Sequence, residues 1–548
     1  MARRLALAAP LLVLLLAAPT SALAGVTLTE FKVEPSSLQA GGHPDVKITQ
    51  AIAPTGSDDV KDTFTRLAPG LLGNPQNAAL CSSQQLRSAA GCPEDSRVGS
   101  VVVTARLGPL YLPPDLAVQG VVYNLRPTGG EPARLGLELD AAGNKTYLEA
   151  PVVLRPGPDG VGLETLFADQ PRDAGGLDIQ IRRVELTFDG QASKGPFMRM
   201  PTSCAPGSSL ARINSWEAPD VFSQLTDSFT PTGCDRLAFS PRAEGSLGAP
   251  DQLRAKDFPP LSTTLRFDPE HAALNRAEVT LPTSVAPNPA AILQACPRAQ
   301  ADATACPESS RMGTAIIDSP LQAEPVRGPV YLAYNTPAAL PGLMVVLPPP
   351  VGLRLDAVIE STAEGLRNTF PTNPDLPLRS FTLEFRGGPS GALMLAKDLC
   401  AASTPTAIKA KLTSHAGQVR ELQQDLATPG CDPRATVTLT KRRRGYTLAA
   451  VLEAARRGPD IKAARLGLPK GLKRGRRAPV VRVDGRKTRP GRARRAVKPK
   501  LGDGARRVKI VWKLLRAKRK LKRTVVVPVA MVDERGKRFA LRMRVPRG

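Results

Sequence analysis

Short runs of alternating apolar and polar residues recur along the chain. Leu135, Leu137 and Leu139 alternate with Gly136 and Glu138, Ala142-Gly143-Asn144 supplies a turn, and Tyr147 to Leu154 follows. Val98 to Arg106, Ile181 to Phe188 and Leu343 to Leu347 are further β-favouring runs bounded by Pro or Gly. A period of two puts every second side chain on one face of a sheet, so these runs predict half-buried strands. No helical stripe of comparable strength occurs here; Pro289 to Ala295 suits one or two helical turns. The alternation returns near the C-terminus. Val508, Ile510 and Trp512 are separated by Lys509 and Val511, and Phe539, Leu541, Met543 and Val545 by Ala540, Arg542 and Arg544. Asp533-Glu534-Arg535-Gly536 turns the chain after Val525 to Val532, and Tyr446 to Ala455, Ala464 to Leu468 and Val480 to Val483 are further expected strands. The pattern predicts a mostly β protein: two antiparallel β-sandwich repeats, then a smaller basic β-sandwich of immunoglobulin-like type.

The repeats are announced by the cysteines. Cys81, Cys92, Cys204 and Cys234 are separated by 11, 112 and 30 residues, and Cys296, Cys306, Cys400 and Cys431 by 10, 94 and 31. Cys92-Pro93-Glu94-Asp95-Ser96-Arg97-Val98-Gly99 matches Cys306-Pro307-Glu308-Ser309-Ser310-Arg311-Met312-Gly313 at six of eight positions. Asn74-Pro75 corresponds to Asn288-Pro289, and Leu186-Thr187-Phe188-Asp189-Gly190 to Leu383-Glu384-Phe385-Arg386-Gly387. Gly120-Val121-Val122-Tyr123 pairs with Gly328-Pro329-Val330-Tyr331, with Gly108-Pro109-Leu110-Tyr111-Leu112 as a competing match. A duplicated unit is the simplest reading. Its bounds are 25–235 and 236–431, with the basic domain at 432–548. Four cysteines allow three connectivities. The short gaps differ by one residue between copies and the long gap by 18, so local bridges are expected: Cys81–Cys92, Cys204–Cys234, Cys296–Cys306 and Cys400–Cys431. Each such loop closure contributes about 3 kcal/mol if unstrained. No CxxC occurs and no His lies near in sequence, which argues against a zinc set.

The compartment follows from the first residues. Arg3 and Arg4 precede an apolar stretch from Leu5 to Ala18, and Ala22-Leu23-Ala24 ends it with small residues. This has the form of a Sec-type signal peptide over 1–24, cleaved after Ala24. The apolar run is shorter than the ~20 residues a span needs, and no second one follows, so no transmembrane segment is expected after cleavage. The mature chain is expected to be extracellular or associated with the cell surface, where disulfides persist. Aromatic residues make up only 4% of the chain, so its cores must rest on Val, Leu and Ala.

Charge changes the picture most. From Asp432 to Gly548 there are 39 Lys and Arg against 7 Asp and Glu, a net of +32, while the remainder carries −6. Arg474 to Lys500 reads as a long mobile loop, and its Arg474, Arg476, Arg477, Arg486, Lys487, Arg489, Arg492, Arg494, Arg495, Lys498 and Lys500 are the candidate polyanion-binding residues. Any polyanion is attracted through counterion release. No helix-turn-helix, zinc finger or RNP-like pattern accompanies the charge, so no specific nucleic acid is expected. For an exported chain the fitting partner is an anionic cell-envelope polymer or polysaccharide.

Chemistry is sparse. His43, His271 and His415 are far apart and lack metal-ligand spacing. Gly388-Pro389-Ser390-Gly391 lacks the spacing of a nucleophile elbow. No phosphate-binding or dinucleotide fingerprint appears, so no cofactor, metal or catalytic residue is assigned. A hydrolase working through an unrecognised carboxylate pair stays open as an alternative, as does an extracellular DNA-binding factor.

Gln39-Ala40-Gly41-Gly42-His43-Pro44-Asp45, the C-P-E-x-S-R-x-G and G-x-V-Y motifs and Gly387-Gly388-Pro389-Ser390-Gly391 together resemble a group of secreted actinobacterial repeat proteins, over about 26–431. The second copy lacks a clear A-G-x-H-P-D counterpart. The resemblance implies export and a repeat architecture; it implies no activity, ligand or catalytic residue. The reading is a secreted or envelope-associated structural or binding protein, not an enzyme, whose basic domain contacts anionic polymers.

Overall fold

The computed structural model describes residues 25–546 apart from 109–113, 142, 158, 175, 250–251, 336–339, 402, 457, 476, 494, 518–520 and 522. The expected leader, 1–24, and the Leu110-Tyr111-Leu112 segment lie outside the described residues.

Eleven strands form the main path of the first unit: β1 Val26–Pro35, β2 Val46–Pro54, β3 Val60–Arg66, β4 Arg97–Leu107, β5 Leu116–Leu125, β6 Ala133–Ala141, β7 Asn144–Gly157, β8 Gly160–Phe167, β9 Leu177–Phe188, β10 Gly207–Ser215 and β11 Ser223–Phe229. They follow one antiparallel path, β1-β2-β9-β4-β5-β6-β7-β8-β3-β10-β11. The path curls until its ends meet. The Leu28 and Val33 amides of β1 donate to Ser223 Oγ (2.9 Å) and Asp227 Oδ2 (2.8 Å) of β11. The expected sandwich is therefore one continuous sheet folded over into a barrel-like sandwich. The alternation read from sequence sets its interior: Leu135, Leu137 and Leu139 are 6%, 5% and 8% exposed.

The second unit repeats the first: β12 Arg242–Leu247, β13 Leu261–Arg266, β14 Leu274–Thr280, β15 Arg311–Asp318, β16 Val326–Ala333, β17 Gly342–Val346, β18 Arg354–Thr362, β19 Gly365–Phe370, β20 Ser380–Phe385, β21 Ala407–Ser414 and β22 Val419–Asp425. Its path, β12-β13-β20-β15-β16-β17-β18-β19-β14-β21-β22, is the first with every label advanced by eleven. Register decides the competing motif match. Tyr123 lies opposite Arg97 and Tyr331 opposite Arg311, so Gly120–Tyr123 and Gly328–Tyr331 correspond. All four disulfides form in the expected local pairs. The short helix Pro289–Ile292 occupies the stretch expected to make a helical turn or two.

The shared motifs are structural. Ser96 and Ser310 are fully buried and turn their hydroxyls back onto Pro93 O and Pro307 O. A Cβ at Gly99 would meet Thr187 O at 2.1 Å, and one at Gly313 would meet Glu384 O at 2.2 Å. Only glycine lets β9 and β20 approach at that point.

The two barrels dock base to mouth. In the first, the end of β4 and the starts of β5 and β9 lie at one end. In the second, the connections after β15 and β19, 319–325 and 371–379, meet the other end of the first. Asp375 accepts from Thr202 N (2.7 Å), Thr202 Oγ1 (2.7 Å) and Ser203 N (3.2 Å). Arg199 Nη2 donates to His271 O at 2.9 Å, and His43 bridges Met198 O (2.7 Å) and Glu270 Oε2 (3.1 Å). His415 holds Asn373 O at 2.9 Å. The three histidines thus serve contacts around this junction.

The C-terminal part is a two-sheet sandwich. Its strands are β23 Arg434–Arg442, β24 Gly445–Glu453, β25 Ile461–Gly467, β26 Val480–Val483, β27 Arg486–Thr488, β28 Pro490–Ala493, β29 Ala496–Pro499, β30 Arg507–Ala517, β31 Thr524–Asp533 and β32 Arg538–Pro546. One sheet runs β23-β24-β30-β26-β27, the other β28-β29-β25-β31-β32. Between them lie Trp512, Ile510, Val527 and Leu448, each at most 1% exposed. The 474–500 stretch, expected as a long loop apart from the strand at Val480 to Val483, holds that strand, β26, and three more, β27 to β29. Val481, Ala496 and Val497 bury to 1% or less, and those apolar anchors pull a very cationic segment into the sheets.

Candidate functional site: a charge-polarised sandwich and two hollow barrels

Strand register collects cations that are scattered in sequence. Val451 of β24, Lys509 of β30, Arg482 of β26 and Lys487 of β27 lie directly opposite one another in a row. The three cations are adjacent and exposed. Lys473 faces Arg516 in the same manner. Like charges directly across a ladder are destabilising, so a fold that keeps them bears a cost that an anion bound between them would relieve. On the second sheet Arg465, Lys498, Arg538, Arg542 and Arg544 are exposed.

The acids are gathered at one end. Of the seven between 432 and 548, Asp432 pairs with Lys537 (2.9 Å), Glu453 with Arg507 (3.1 Å), Asp460 with Arg506 (2.9 Å) and the buried Asp533 with Arg535 (2.9 Å). Asp484 accepts from the Arg507 amide at 2.7 Å, and Glu534 Oε2 from the Asp460 amide at 3.2 Å. These residues stand at the starts of β23, β25, β30 and β32 and the ends of β24, β26 and β31, which antiparallel pairing brings to a single end. It adjoins the second barrel, because a Cβ at Gly458 would meet Cys431 O at 2.5 Å. The opposite end carries Lys441, Arg442, Arg443 and Arg444 on the β23–β24 hairpin, with Lys470, Lys473, Arg477, Arg495 and Arg516, and no acid among the described residues.

The expected site residues are divided among these surfaces. Arg474 places its guanidinium 5.4 Å over the Trp512 ring and donates to Ala496 O, and Arg495 donates to Pro469 O at 3.4 Å; with Arg477 they belong to the distal end. Arg486, Lys487, Arg489, Lys498 and Lys500 are exposed along the sheets. Arg492 falls in β28, and Arg476 and Arg494 lie outside the described residues. Sequence reasoning missed Lys509 and Arg482, which only register reveals. It also passed over Lys441 to Arg444, although four consecutive cations on a hairpin were visible.

Both barrels are hollow. The pocket inside the first has a volume of about 320 Å³ and that inside the second about 170 Å³. Leu154, Leu321 and Gln322 face both cavities, so the docked loop of the second barrel forms part of the wall of the first. A second unusual group is Asp59, near the mouth of the first barrel. Burial pushes its carboxyl above the usual range against the pull of Arg172, and its Oδ1 has no partner. The second barrel has Ala272 and Ala273 before the corresponding strand, so the Asp58–Asp59 pair does not recur there. Among the described residues no cluster of His, Cys, Asp and Glu could hold a metal ion, and no helix is long and apolar enough to cross a membrane.

No family model matches the chain and no curated protein does. Among solved structures it is similar to dimeric latent PorU from Porphyromonas gingivalis (11% identity, TM-score 0.13), covering 95% of this chain but only 34% of that one. A putative membrane-anchored protein from Corynebacterium diphtheriae matches at 8% identity over 82% of this chain and 96% of the other, with a TM-score of 0.17. BcpA, the major pilin subunit of Bacillus cereus, matches at 10% identity over 74% and 90%, also at 0.17. At these TM-scores the likenesses carry neither fold nor function over to this chain.

Proposed function

We propose that the chain is a secreted, cell-envelope-associated binding protein whose basic sandwich holds it to an anionic envelope polymer. One observation carries the reading: charge is segregated within a folded body, with its acids tied down at the end beside the second barrel and its cations left at the far end and in cross-strand rows. A merely solvated basic surface gains nothing from that arrangement. The four disulfides suit an oxidising exterior.

Co-sedimentation with poly(glycerol phosphate) immobilised on beads tests it, with uncharged dextran as control. Binding should weaken linearly in log–log form as salt rises, and removal of 432–548 should abolish it while the barrels stay folded. Retention of the truncated chain, or binding insensitive to molar salt, overturns the proposal. Tighter binding to duplex DNA than to the polymer at equal salt would favour a nucleic-acid partner.

A further inference from the structure

We infer that the first barrel is a binding site for an aliphatic alcohol, with its chain in the apolar cavity and its hydroxyl on Gln50. The inference is independent of the polymer-binding proposal.

Three features of the cavity define the ligand. Its volume, about 320 Å³, is roughly twice that of a 150 Å³ void that stays dry and takes benzene, which scales to a ligand of about a dozen carbon atoms. Its walls are aliphatic, from Val103, Val118, Leu137, Leu139 and Ile181 among others. Polar side chains interrupt them, Thr63, Asn124, Gln170 and Gln322 among others, and of the described lining residues Gln50 is the one with a buried side-chain atom left unpaired. Gln50, on β2 and 4% exposed, reaches across the interior to β3 and donates from Nε2 to Thr65 Oγ1 at 2.9 Å, while its Oε1 has no partner. A buried acceptor left unpaired is unfavourable, and a hydroxyl donating to Oε1 removes the deficit.

The duplication supplies an internal control. Gln50 lies opposite Val184 of β9, four residues before Phe188. Four residues before the corresponding Phe385 stands Phe381, and opposite it is Leu265, 7% exposed. The fold therefore accepts leucine at this place, and the glutamine of the first barrel is not needed to build it.

Access differs between the copies in the same direction. Leu116 and Leu177 line the first cavity yet are 45% and 51% exposed, marking an open rim. The opposite end is lined by Gly73, Pro75, Phe197 and Met198 with Leu321 and Gln322 of the second barrel, and Asn124 Nδ2 donates to Pro75 O and Ala79 O there. The corresponding rim of the second barrel is docked against the first.

The test uses the full exported chain, with 1-N-phenylnaphthylamine fluorescence as reporter and two competitors of equal length, 1-dodecanol and 1-chlorododecane. Wild type should bind the alcohol at least tenfold more tightly. Gln50→Leu should bind both, without preference. Val103→Trp, which fills the cavity, should bind neither while keeping its disulfides and melting temperature; if it fails to fold, Ile179→Trp replaces it. No displacement from wild type, equal affinity of wild type for the two competitors, or unchanged binding by the folded filled-cavity variant each overturns the inference.

Discussion

Removing the carboxylate of Asp375 should uncouple the two barrels. It accepts three hydrogen bonds from Thr202 and Ser203 across the junction and is 8% exposed. Beside it sits Arg199, itself 8% exposed, whose guanidinium burial disfavours while the charges of Asp375 and Glu270 favour it. Hydrogen bonds to a charged group contribute roughly 1.5–3 kcal/mol each, but the three share one carboxylate whose desolvation offsets part of the sum. Deleting one partner of a buried charged set costs about 3–5 kcal/mol, and the unpaired Thr202 and Ser203 donors, with one of the two charges favouring Arg199 lost, place Asp375→Ala near the lower end of that range. Asp375→Asn keeps one acceptor and should lose roughly half as much. Calorimetry of the full chain reads the effect: in the alanine variant the barrels should melt in two separate transitions, and proteases should gain access to the connection around 235–241. A loss under about 1 kcal/mol with one unsplit barrel transition would refute the docking argument.

Gly99→Ala should lower the urea midpoint sharply, by about 3 kcal/mol in stability as for other overpacked sites, since the new methyl group meets the Thr187 carbonyl oxygen; Gly313→Ala should do the same in the second barrel. Glu149 is pushed up by burial, but hydrogen bonds from Arg87 and Ser83 and the charges of Arg87 and Arg134 outweigh this and hold it below the usual glutamate range. Its contribution to holding the Cys81–Cys92 segment is therefore full above the unfolded glutamate pKa of about 4.3 and is lost as pH falls through the lower folded value. Hydrogen exchange of 82–88 in Glu149→Gln should exceed wild type at neutral pH and converge with it in strong acid. Arg482→Thr should raise the urea midpoint slightly while weakening polymer binding, because it removes the middle of three adjacent like charges; a fall in stability would contradict the cross-strand repulsion.

The strands of the repeats were legible because each presents a period-two pattern to a single core, and the disulfides because duplication made short gaps constant. Val480–Val483 was legible for the same reason as Val508 to Trp512. What surrounds it was not. A segment with eleven candidate cations reads as solvated chain unless the few buried positions, Val481, Ala496 and Val497, are weighed against them. Closure of the first sheet was equally hidden, since it depends on β10 returning beside β3 across more than 140 residues and on β11 then meeting β1. The Lys509–Arg482–Lys487 row depends on register between strands far apart in sequence. Gln50 carried no signal of its own until alignment of the two barrels set Leu265 at its place.

The segregation of charge in the C-terminal sandwich has an orientational consequence. A body with its negative groups at one end and its positive groups at the other is an electric dipole, and in a field gradient it experiences a torque as well as an attraction. Near a polyanionic surface that torque turns the Lys441 to Arg444 hairpin inward and the acidic end, with Cys431 and the barrel joined to it, outward. Attachment and alignment then arise from the same side chains, and salt that weakens one slackens the other.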